Sequence, residues 1–317
     1  MNILLLLVGL GLIVLGADWL VDGASAIARR AGVSEFVIGL TIVGFGTSCP
    51  ELVVSLTGAI QGNADISIGN VIGSNIFNTL FILGITALIM PVSMTNENRK
   101  RDIPITLAVS IILVLFGMSK TLLGIGESDS LSRAEGIGFL LLFGAYLYSC
   151  FKLDSKEQTD APEQKQMKLP LAILAVTAGL AGLIFGGELF VNSATDLARS
   201  IGVSDKFIAI TILAGGTSFP ELATCIVAAA KHKDKLALGN ILGSNVFNIL
   251  LILGCSSVIT PLSFNGMSLV DAGILIVSCV MLLLWAYTGR KCRIDRWEGA
   301  VMLLTFAAYY YYLFVKL

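Results

Sequence analysis

TIVGFGTSCPEL, at residues 41–52, reappears as TILAGGTSFPEL at residues 211–222, with eight of twelve residues identical. A second stretch, GNVIGSNIFN at 69–78, reappears as GNILGSNVFN at 239–248, with seven of ten identical. Both pairs have the same offset of 170 residues, and the match runs through them without a gap. The chain is therefore an internal duplication, and its architecture must be explained as two related halves.

The composition is typical of a membrane protein. Of the 317 residues, 56% are hydrophobic and 14% are charged, and the mean hydropathy is +0.86. Soluble domains are about 45–50% apolar and about 25% charged, so both values point away from a soluble core. The net charge of −1 argues against nucleic acid as a partner. The six cysteines form no CxxC pair and His232 is the only histidine, which argues against a zinc site and serine–histidine catalysis.

Apolar stretches long enough to cross a bilayer recur along the whole chain, because about 20 helical residues span its hydrocarbon core. They predict ten transmembrane helices, near 3–21, 35–59, 66–90, 103–119, 134–151, 169–190, 204–230, 236–260, 268–288 and 298–315. The first stretch resembles a signal peptide, but its apolar run is too long and no basic residue precedes it. Because the duplication includes part of it, we assign it to the mature protein.

Five helices in each copy imply that the two copies are inverted, because an odd number makes the second copy enter the membrane from the opposite side. We assign 1–151 to the first five-helix repeat, the polar stretch 152–168 to a cytoplasmic linker and 169–317 to the second repeat. The predicted fold class is an all-α membrane protein of two inverted repeats. Such repeats, with helices broken by Gly and Pro at matching positions, are typical of secondary transporters, whose site lies where the repeats meet.

The basic residues predict the orientation. With the N-terminus outside, sixteen Lys and Arg residues fall in inner loops and five in outer ones, which accounts for all 21. Such a bias toward the cytoplasm follows the positive-inside rule. We therefore expect a multi-pass protein of the cell membrane, surrounded by lipid, with both termini outside.

Each repeat places one carboxylate inside an apolar helix, Glu51 in the first and Glu221 in the second. A carboxylate at mid-bilayer costs about 3 kcal/mol or more unless something pairs with it. Apart from Lys206 at the outer end of the second, no Lys, Arg or His lies in these helices. One interpretation is a protonated glutamate that is hydrogen-bonded within the bundle. The other, which the symmetric pair favours, is a shared cation site.

Oxygen-bearing side chains accompany both glutamates at helical spacings of one, three or four residues. They are Thr47, Ser48, Ser74 and Asn78 in the first repeat and Thr217, Ser218, Ser244 and Asn248 in the second. Pro50 and Pro220 lack the N–H that would bind the carbonyl four residues earlier. Carbonyls freed at membrane depth are tolerated only where they line a cavity or meet a ligand. Carboxylate, carbonyl, hydroxyl and amide oxygens together suit hard cations such as Ca2+ and Na+.

Helix packing is the competing explanation for the small residues near these oxygens. The GxxxG patterns at 69–73 and 239–243 fit close helix contact better than a ligand role. Four further asparagines fit either a ligand role or interhelical hydrogen bonds, and we favour the hydrogen bonds; they are Asn70, Asn75, Asn240 and Asn245. Asp18 and its repeat partner Glu188 fit either gating groups or polar caps at the membrane interface.

Each of the segments 41–78 and 211–248 contains the pattern GTSxPE followed by GNxxGSN. This repeated pattern resembles the paired alpha-repeats of the cation/calcium exchanger superfamily. The pattern is most similar to prokaryotic sodium/calcium exchangers, and the similarity covers essentially the full chain. The resemblance implies four adjoining cation sites between the second, third, seventh and eighth helices.

The resemblance also implies the role of each position. Ca2+ would bind Glu51 and Glu221 together with the carbonyls of Thr47 and Thr217. Asn78 would lie beside the middle site. Flanking Na+ sites would be completed by the side chains of Ser48, Ser74, Ser218 and Ser244 and by the backbone at Gly44 and Ala214. Some relatives carry Asp where this chain has Asn248, so two acids remain here instead of three, which makes potassium coupling less expected.

The implied function is an antiporter that exchanges Ca2+ for Na+ by alternating access, with no cofactor besides the transported ions. Family members usually move three Na+ against one Ca2+. A Ca2+/H+ antiporter, or one for another divalent cation, is the alternative, but Gly73 and Gly243 replace the acid that is typical of the proton-coupled branch. A cation channel fits less well because channels commonly build their pore by oligomeric symmetry. An intramembrane enzyme would need an activated nucleophile or a bound metal, and a chain with a single histidine is poorly equipped for either. The oligomeric state is left open.

Overall fold

The computed structural model describes residues 2–154, 167–201, 214–288 and 292–316, and these are almost entirely helical. The α-helices in chain order are α1 (Asn2–Ala31), α2 (Glu35–Ile38), α3 (Gly44–Thr47), α4 (Cys49–Ile60), α5 (Ala64–Ile76), α6 (Leu83–Ile89), α7 (Ile103–Gly117), α8 (Ser119–Leu123), α9 (Arg133–Asp154), α10 (Leu169–Ser200), α11 (Ala214–Gly216), α12 (Phe219–Ala230), α13 (Asp234–Val246), α14 (Gly254–Ile259), α15 (Leu269–Thr288) and α16 (Arg296–Lys316). Most of the predicted linker 152–168 lies outside the described residues. So do the first parts of the predicted helix 204–230 and of the motif 211–248.

Wider π-helical turns join or precede several of these helices. They are π1 (Gly39–Val43), π2 (Phe77–Ile82), π3 (Asn98–Asp102) and π4 (Phe247–Leu253). Because π2 connects α5 to α6 and π4 connects α13 to α14, each combination forms one long helix, Ala64–Ile89 and Asp234–Ile259.

Seven helices in the described part of the chain are long and apolar enough to cross a membrane. An eighth is obtained if Glu35–Thr47 and Cys49–Ile60, which meet at a bend of 48°, form one broken span. These helices confirm an all-helical fold with several membrane-span candidates. The exact count of ten spans and the inversion of the two halves stay predictions, because α7 has 15 residues and α12 has 12.

The prediction 3–21 for the first helix is too short, since α1 continues to Ala31. The predicted sixth helix, 169–190, is likewise extended to Ser200 in α10. Hydropathy falls where polar residues such as Asp22 begin, but the following small residues keep packing on the bundle. Ala24 and Ala28 are buried, so the helix gains stability from tertiary contacts beyond its apolar window.

Helices α1 and α10 form a tightly packed pair. A methyl group added at Gly16 would lie 2.7 Å from the carbonyl oxygen of Gly179, and one added at Gly179 would lie 2.7 Å from that of Gly16. Small residues that bring backbones together are the usual basis of helix association in membranes. The large apolar side chains on the outer face of this pair, including Leu4 and Leu174, are exposed as lipid-facing residues would be.

The assignment of the GxxxG patterns to packing is confirmed for the second copy. A Cβ atom at Gly239 or Gly243 would collide with the backbone of the segment that contains Phe36 and Leu40. For the first copy, no described atom lies within 4 Å of a Cβ built at Gly69 or Gly73. These two glycines instead line a cavity of about 290 Å³ together with residues of α15 and α16.

Two short antiparallel strand pairs connect the halves. The strands are β1 (Val92–Ser93), β2 (Ser130–Leu131), β3 (Leu262–Ser263) and β4 (Arg293–Ile294). Val92 pairs with Ile294, and Leu131 pairs with Leu262. Each half thus contributes one strand to each pair, which joins the two copies around their shared core.

Candidate cation site

The two motifs break their helices in the same way. Ser48 (φ −84°, ψ 6°) lies between α3 and α4, and Ser218 (φ −91°, ψ 8°) immediately precedes α12. Pro50 and Pro220 occupy the first turn of the following helix, where a missing N–H has little cost. The breaks predicted from the prolines are therefore confirmed.

Both glutamates lie in the first turn after the break and are buried. Glu51 belongs to α4 and Glu221 to α12, and each is only 1% exposed. No Lys, Arg or His among the described residues forms an ion pair with either of them. The negative charge of each side chain must therefore be compensated by hydrogen bonds or by a cation.

The serines at the breaks connect each carboxylate to the opposite half. The Ser48 hydroxyl donates to Glu221 Oε1 at 3.0 Å, and the Ser218 hydroxyl donates to Glu51 Oε1 at 3.0 Å. Ser218 also lies 3.3 Å from the hydroxyl of Ser74, and Ser244 lies 3.5 Å from Glu221 Oε1. The structure thus brings all four predicted serines and both glutamates into one cluster, which we call the cation cluster.

Several oxygens of this neighbourhood lack hydrogen-bond partners among the described residues. These are Glu51 Oε2, Glu221 Oε2, Asn78 Oδ1 and Asn248 Oδ1. A buried polar oxygen without a partner is costly, and a buried unpaired charge is more so. A protonated glutamate could donate from Oε1 to its serine, but both Oε2 atoms and both amide oxygens would still lack a partner. A bound cation can satisfy such oxygens, so the arrangement favours a cation over the protonated interpretation.

The two amides lie in the π-helical turns. Asn78 is in π2 and Asn248 is in π4, and both are 1% exposed. Such turns are rare and occur frequently at functional sites. No group of three or more His, Cys, Asp or Glu residues in the described ranges is arranged to hold a metal. Any cation held here would depend on two carboxylates supplemented by neutral oxygens.

Of the remaining predicted positions, Thr47, Thr217 and Gly44 lie beside the cluster. The Thr47 hydroxyl contacts the Val43 carbonyl and Asn240 Oδ1, both at 3.1 Å, so the hydroxyl is engaged in structural bonds. The Thr217 hydroxyl lies 3.5 Å from Asn70 Oδ1, and the carbonyl of Gly44 accepts from Ser244 at 3.4 Å. Ala214 is the first residue of α11, and the residues before it lie outside the described part.

The asparagines assigned to interhelical bonds have that role. Asn70 donates to the Glu51 carbonyl oxygen at 3.1 Å and to the Ser55 hydroxyl at 2.9 Å, which joins α5 to α4. The equivalent Asn240 lies 3.3 Å from Cys225 Sγ, which joins α13 to α12. The helices that carry the glutamates are thus held against the helices that carry the amides.

Sequence reasoning missed the crossed serine bonds, in which each serine contacts the glutamate of the other half. The only signal for them is the duplication itself, because a site at a two-fold interface can exchange equivalent groups between the copies. The spacing within one motif cannot show which copy a side chain contacts.

Asp18 and Glu188 have different environments. Lys231 Nζ lies 2.7 Å from Asp18 Oδ1 and 2.7 Å from Asp22 Oδ1. Burial alone would lower the pKa of Lys231, but the hydrogen bonds to these two aspartates outweigh it, and the pKa is raised. Glu188 is exposed and lines a cavity of about 510 Å³ whose wall includes Pro50 and Thr217.

Comparison with known proteins identifies the family. The sequence model described as sodium/calcium exchanger protein matches residues 1–152 and 171–315. This chain belongs to the sodium/calcium exchanger family. It is 39% identical to the putative antiporter CaxA of Alkalimonas amylolytica, over 97% of each chain. It is 34% identical to the sodium/calcium exchanger MaX1 of Methanosarcina acetivorans, over 99% of this chain and 98% of that protein.

A solved structure of the same family has the same fold. The sodium-calcium exchanger NCX_Mj, soaked with Na+ and Sr2+, superposes with a TM-score of 0.83. It is 32% identical in sequence, over 97% of this chain and 96% of that chain. The resemblance to the cation/calcium exchangers is therefore confirmed, and the chain is a multi-pass membrane protein of a transporter family.

Proposed function

We propose that this protein exchanges Ca2+ for Na+ across the membrane by alternating access, through the cation cluster between Glu51 and Glu221. The observation that carries the proposal is the pair of buried carboxylates, each with one oxygen bonded to a serine of the other half and one oxygen without a partner. The names of MaX1 and NCX_Mj, both sodium/calcium exchangers, support the same choice of ions.

Charge and ligand chemistry explain why the cluster suits these ions. Two ionised glutamates carry a charge of −2, which one Ca2+ neutralises. Hydroxyl and amide oxygens add ligands without adding charge, as Ca2+ sites with six to eight oxygens require. Na+ is also a hard cation and competes for the same oxygens, so that binding of one ion opposes binding of the other.

Sodium is the proposed driving ion instead of the proton. The positions that would hold an additional acid in a proton-coupled relative are Gly73 and Gly243. Asn78 and Asn248 also contribute no titratable group. Protons can then act only by competing for the two glutamates, since a protonated carboxylate loses its ligand charge.

The proposed setting is the cell membrane, with both termini outside and the transported ions as the only small-molecule partners. The excess of basic residues on one side supports this orientation. The exposed apolar faces of α1, α9, α10 and α16 provide the surface that lipid would cover.

Uptake of labelled Ca2+ into proteoliposomes tests the driving ion. Vesicles loaded with Na+ and diluted into Na+-free buffer are compared with vesicles that carry only a proton gradient. We expect rapid uptake in the first case, not reduced by a protonophore, and none above background in the second. Uptake that follows the proton gradient and ignores Na+ would overturn the proposal, and the Glu221→Gln variant provides the inactive control.

A further inference from the structure

We propose that Asn75 is a positioning residue that fixes the orientation of the Asn248 amide, so that Asn248 presents its oxygen to the cation cluster. The proposal rests on the proposed function, because it concerns how the same cluster recognises cations. It assigns Asn75 a role beyond the interhelical bond that its sequence position suggested.

The orientation follows from a chain of donors and acceptors that begins at a backbone group. The Asn245 carbonyl oxygen lies 3.1 Å from the Asn75 side chain, and a carbonyl can only accept. The Asn75 atom that faces it must therefore be the NH2 group. The oxygen of Asn75 then faces the other way, where it accepts from Asn248 Nδ2 at 2.9 Å. The Asn248 oxygen is consequently directed away from Asn75.

This oxygen is available to a cation. Asn248 Oδ1 has no hydrogen-bond partner among the described residues, and Asn248 is 1% exposed. Asn248 follows Ser244 by about one turn of the same helix, and Ser244 contacts Glu221. A flipped amide would turn two N–H donors toward the cations and place its oxygen against that of Asn75. Asn75 excludes this arrangement because its own orientation is fixed by the backbone.

The equivalent amide in the first half has no such restraint. Both side-chain atoms of Asn78 lack hydrogen-bond partners among the described residues. Asn245, which is the repeat partner of Asn75, donates its NH2 group to the Thr79 hydroxyl at 2.8 Å instead. The two halves therefore contain one oriented amide and one free amide, and Asn245 provides a control position of equal burial.

Replacing Asn248 by Asp removes the need for Asn75 to orient the side chain at position 248. A carboxylate has two equivalent oxygens and no donor face, so its orientation needs no restraint. The oxygen of Asn75 would instead face a negative charge. An Asn75→Leu substitution should therefore weaken Ca2+ binding in the natural chain but leave it unchanged or improve it in the Asn248→Asp chain.

Equilibrium binding of labelled Ca2+ to the full-length purified protein tests whether the effect of Asn75→Leu depends on the residue at position 248. We expect Asn75→Leu to weaken Ca2+ binding about tenfold in the natural chain, the size of one lost hydrogen bond that orients a ligand. Asn245→Leu should change it by less than about threefold, because this side chain orients no site amide. In the Asn248→Asp chain, Asn75→Leu should cause no loss. If Asn75→Leu does not fold, Asn75→Ser takes its place in the same comparison.

Three results would overturn the proposal. Equal weakening by Asn75→Leu in both chains would show that Asn75 has a purely structural role, since only an orienting role depends on the residue at position 248. No weakening in the natural chain would show that Asn75 does not orient a ligand oxygen of Asn248, while Ca2+ exchange itself would stand. A natural protein that binds no Ca2+ would overturn this proposal and the proposed function together.

Discussion

Neutralising Glu221 with the Glu221→Gln substitution should weaken Ca2+ binding much more than Na+ binding. Glutamine has nearly the same shape and keeps an oxygen for the bonds from Ser48 and Ser244, but it removes one of two negative charges from a site that is 1% exposed. The perturbation is therefore mainly electrostatic.

The expected magnitude follows from the charges. Two unit charges 4 Å apart interact with about 4 kcal/mol at an effective dielectric constant of about 20, so one carboxylate contributes about 8 kcal/mol with Ca2+ and about 4 kcal/mol with Na+. Dehydration of the ion offsets most of this. If about 3 kcal/mol of the Ca2+ term remains, Ca2+ affinity falls more than about a hundredfold. If the same fraction of the Na+ term remains, Na+ affinity falls only about tenfold.

Binding of labelled Ca2+ in competition with Na+ measures both affinities on the same sample. Glu97→Gln, on an exposed residue outside the cluster, is the matched control and should bind both ions normally. Without Ca2+, Glu221→Gln should melt at the same or a higher temperature than the natural protein, because it removes a buried unpaired charge. A Ca2+ affinity within about threefold of the natural value, in a folded variant, would refute the electrostatic reasoning.

Three further predictions concern the surroundings of the site. Ser218→Ala should weaken Ca2+ binding about tenfold, because the carboxylate of the other half loses the donor that positions it, and an unchanged affinity in isothermal titration would contradict this. Gly243→Ala should lower the free energy of unfolding by about 1–3 kcal/mol, because the added methyl group overpacks against the facing backbone. Gly138→Ala is the control and should not lower it, since a Cβ at Gly138 has no described neighbour within 4 Å. Equal melting temperatures of the two variants would contradict the close contact at Gly243. Lys231→Gln should destabilise the protein by about 1 kcal/mol. Because the Lys231 pKa is raised, the difference in melting temperature should stay constant near neutral pH and vanish as alkaline pH removes the proton from Lys231. A difference that is already absent at neutral pH would contradict the assignment.

Much of the fold could be predicted because lipid imposes a simple pattern. Apolar stretches mark the helices, and the offset of 170 residues brings the second copy of each element into correspondence with the first. The ends of α1 and α10 could not be predicted in the same way. Their last turns depend on packing of small residues such as Ala24 against the bundle, which hydropathy does not measure.

The candidate site could be predicted at the level of residue identity. A carboxylate in an apolar helix is costly, so Glu51 and Glu221 stand out from the sequence alone. The hydrogen bonds that orient them depend on how the two copies dock, and a linear motif carries no information on docking. The crossed contacts of Ser48 and Ser218 and the restraint of Asn248 are therefore visible only in the structure.

Voltage dependence of Ca2+ accumulation is the most direct test of coupled exchange. If three Na+ leave for each Ca2+ that enters, one positive charge moves outward in every cycle, and an interior-positive potential of about 100 mV adds about 2.3 kcal/mol to uptake. In Na+-loaded proteoliposomes clamped by potassium and valinomycin, the accumulated Ca2+ ratio should then rise about fiftyfold per 100 mV and require the Na+ gradient throughout. Accumulation that ignores both the potential and the Na+ gradient would contradict sodium-coupled exchange by this protein.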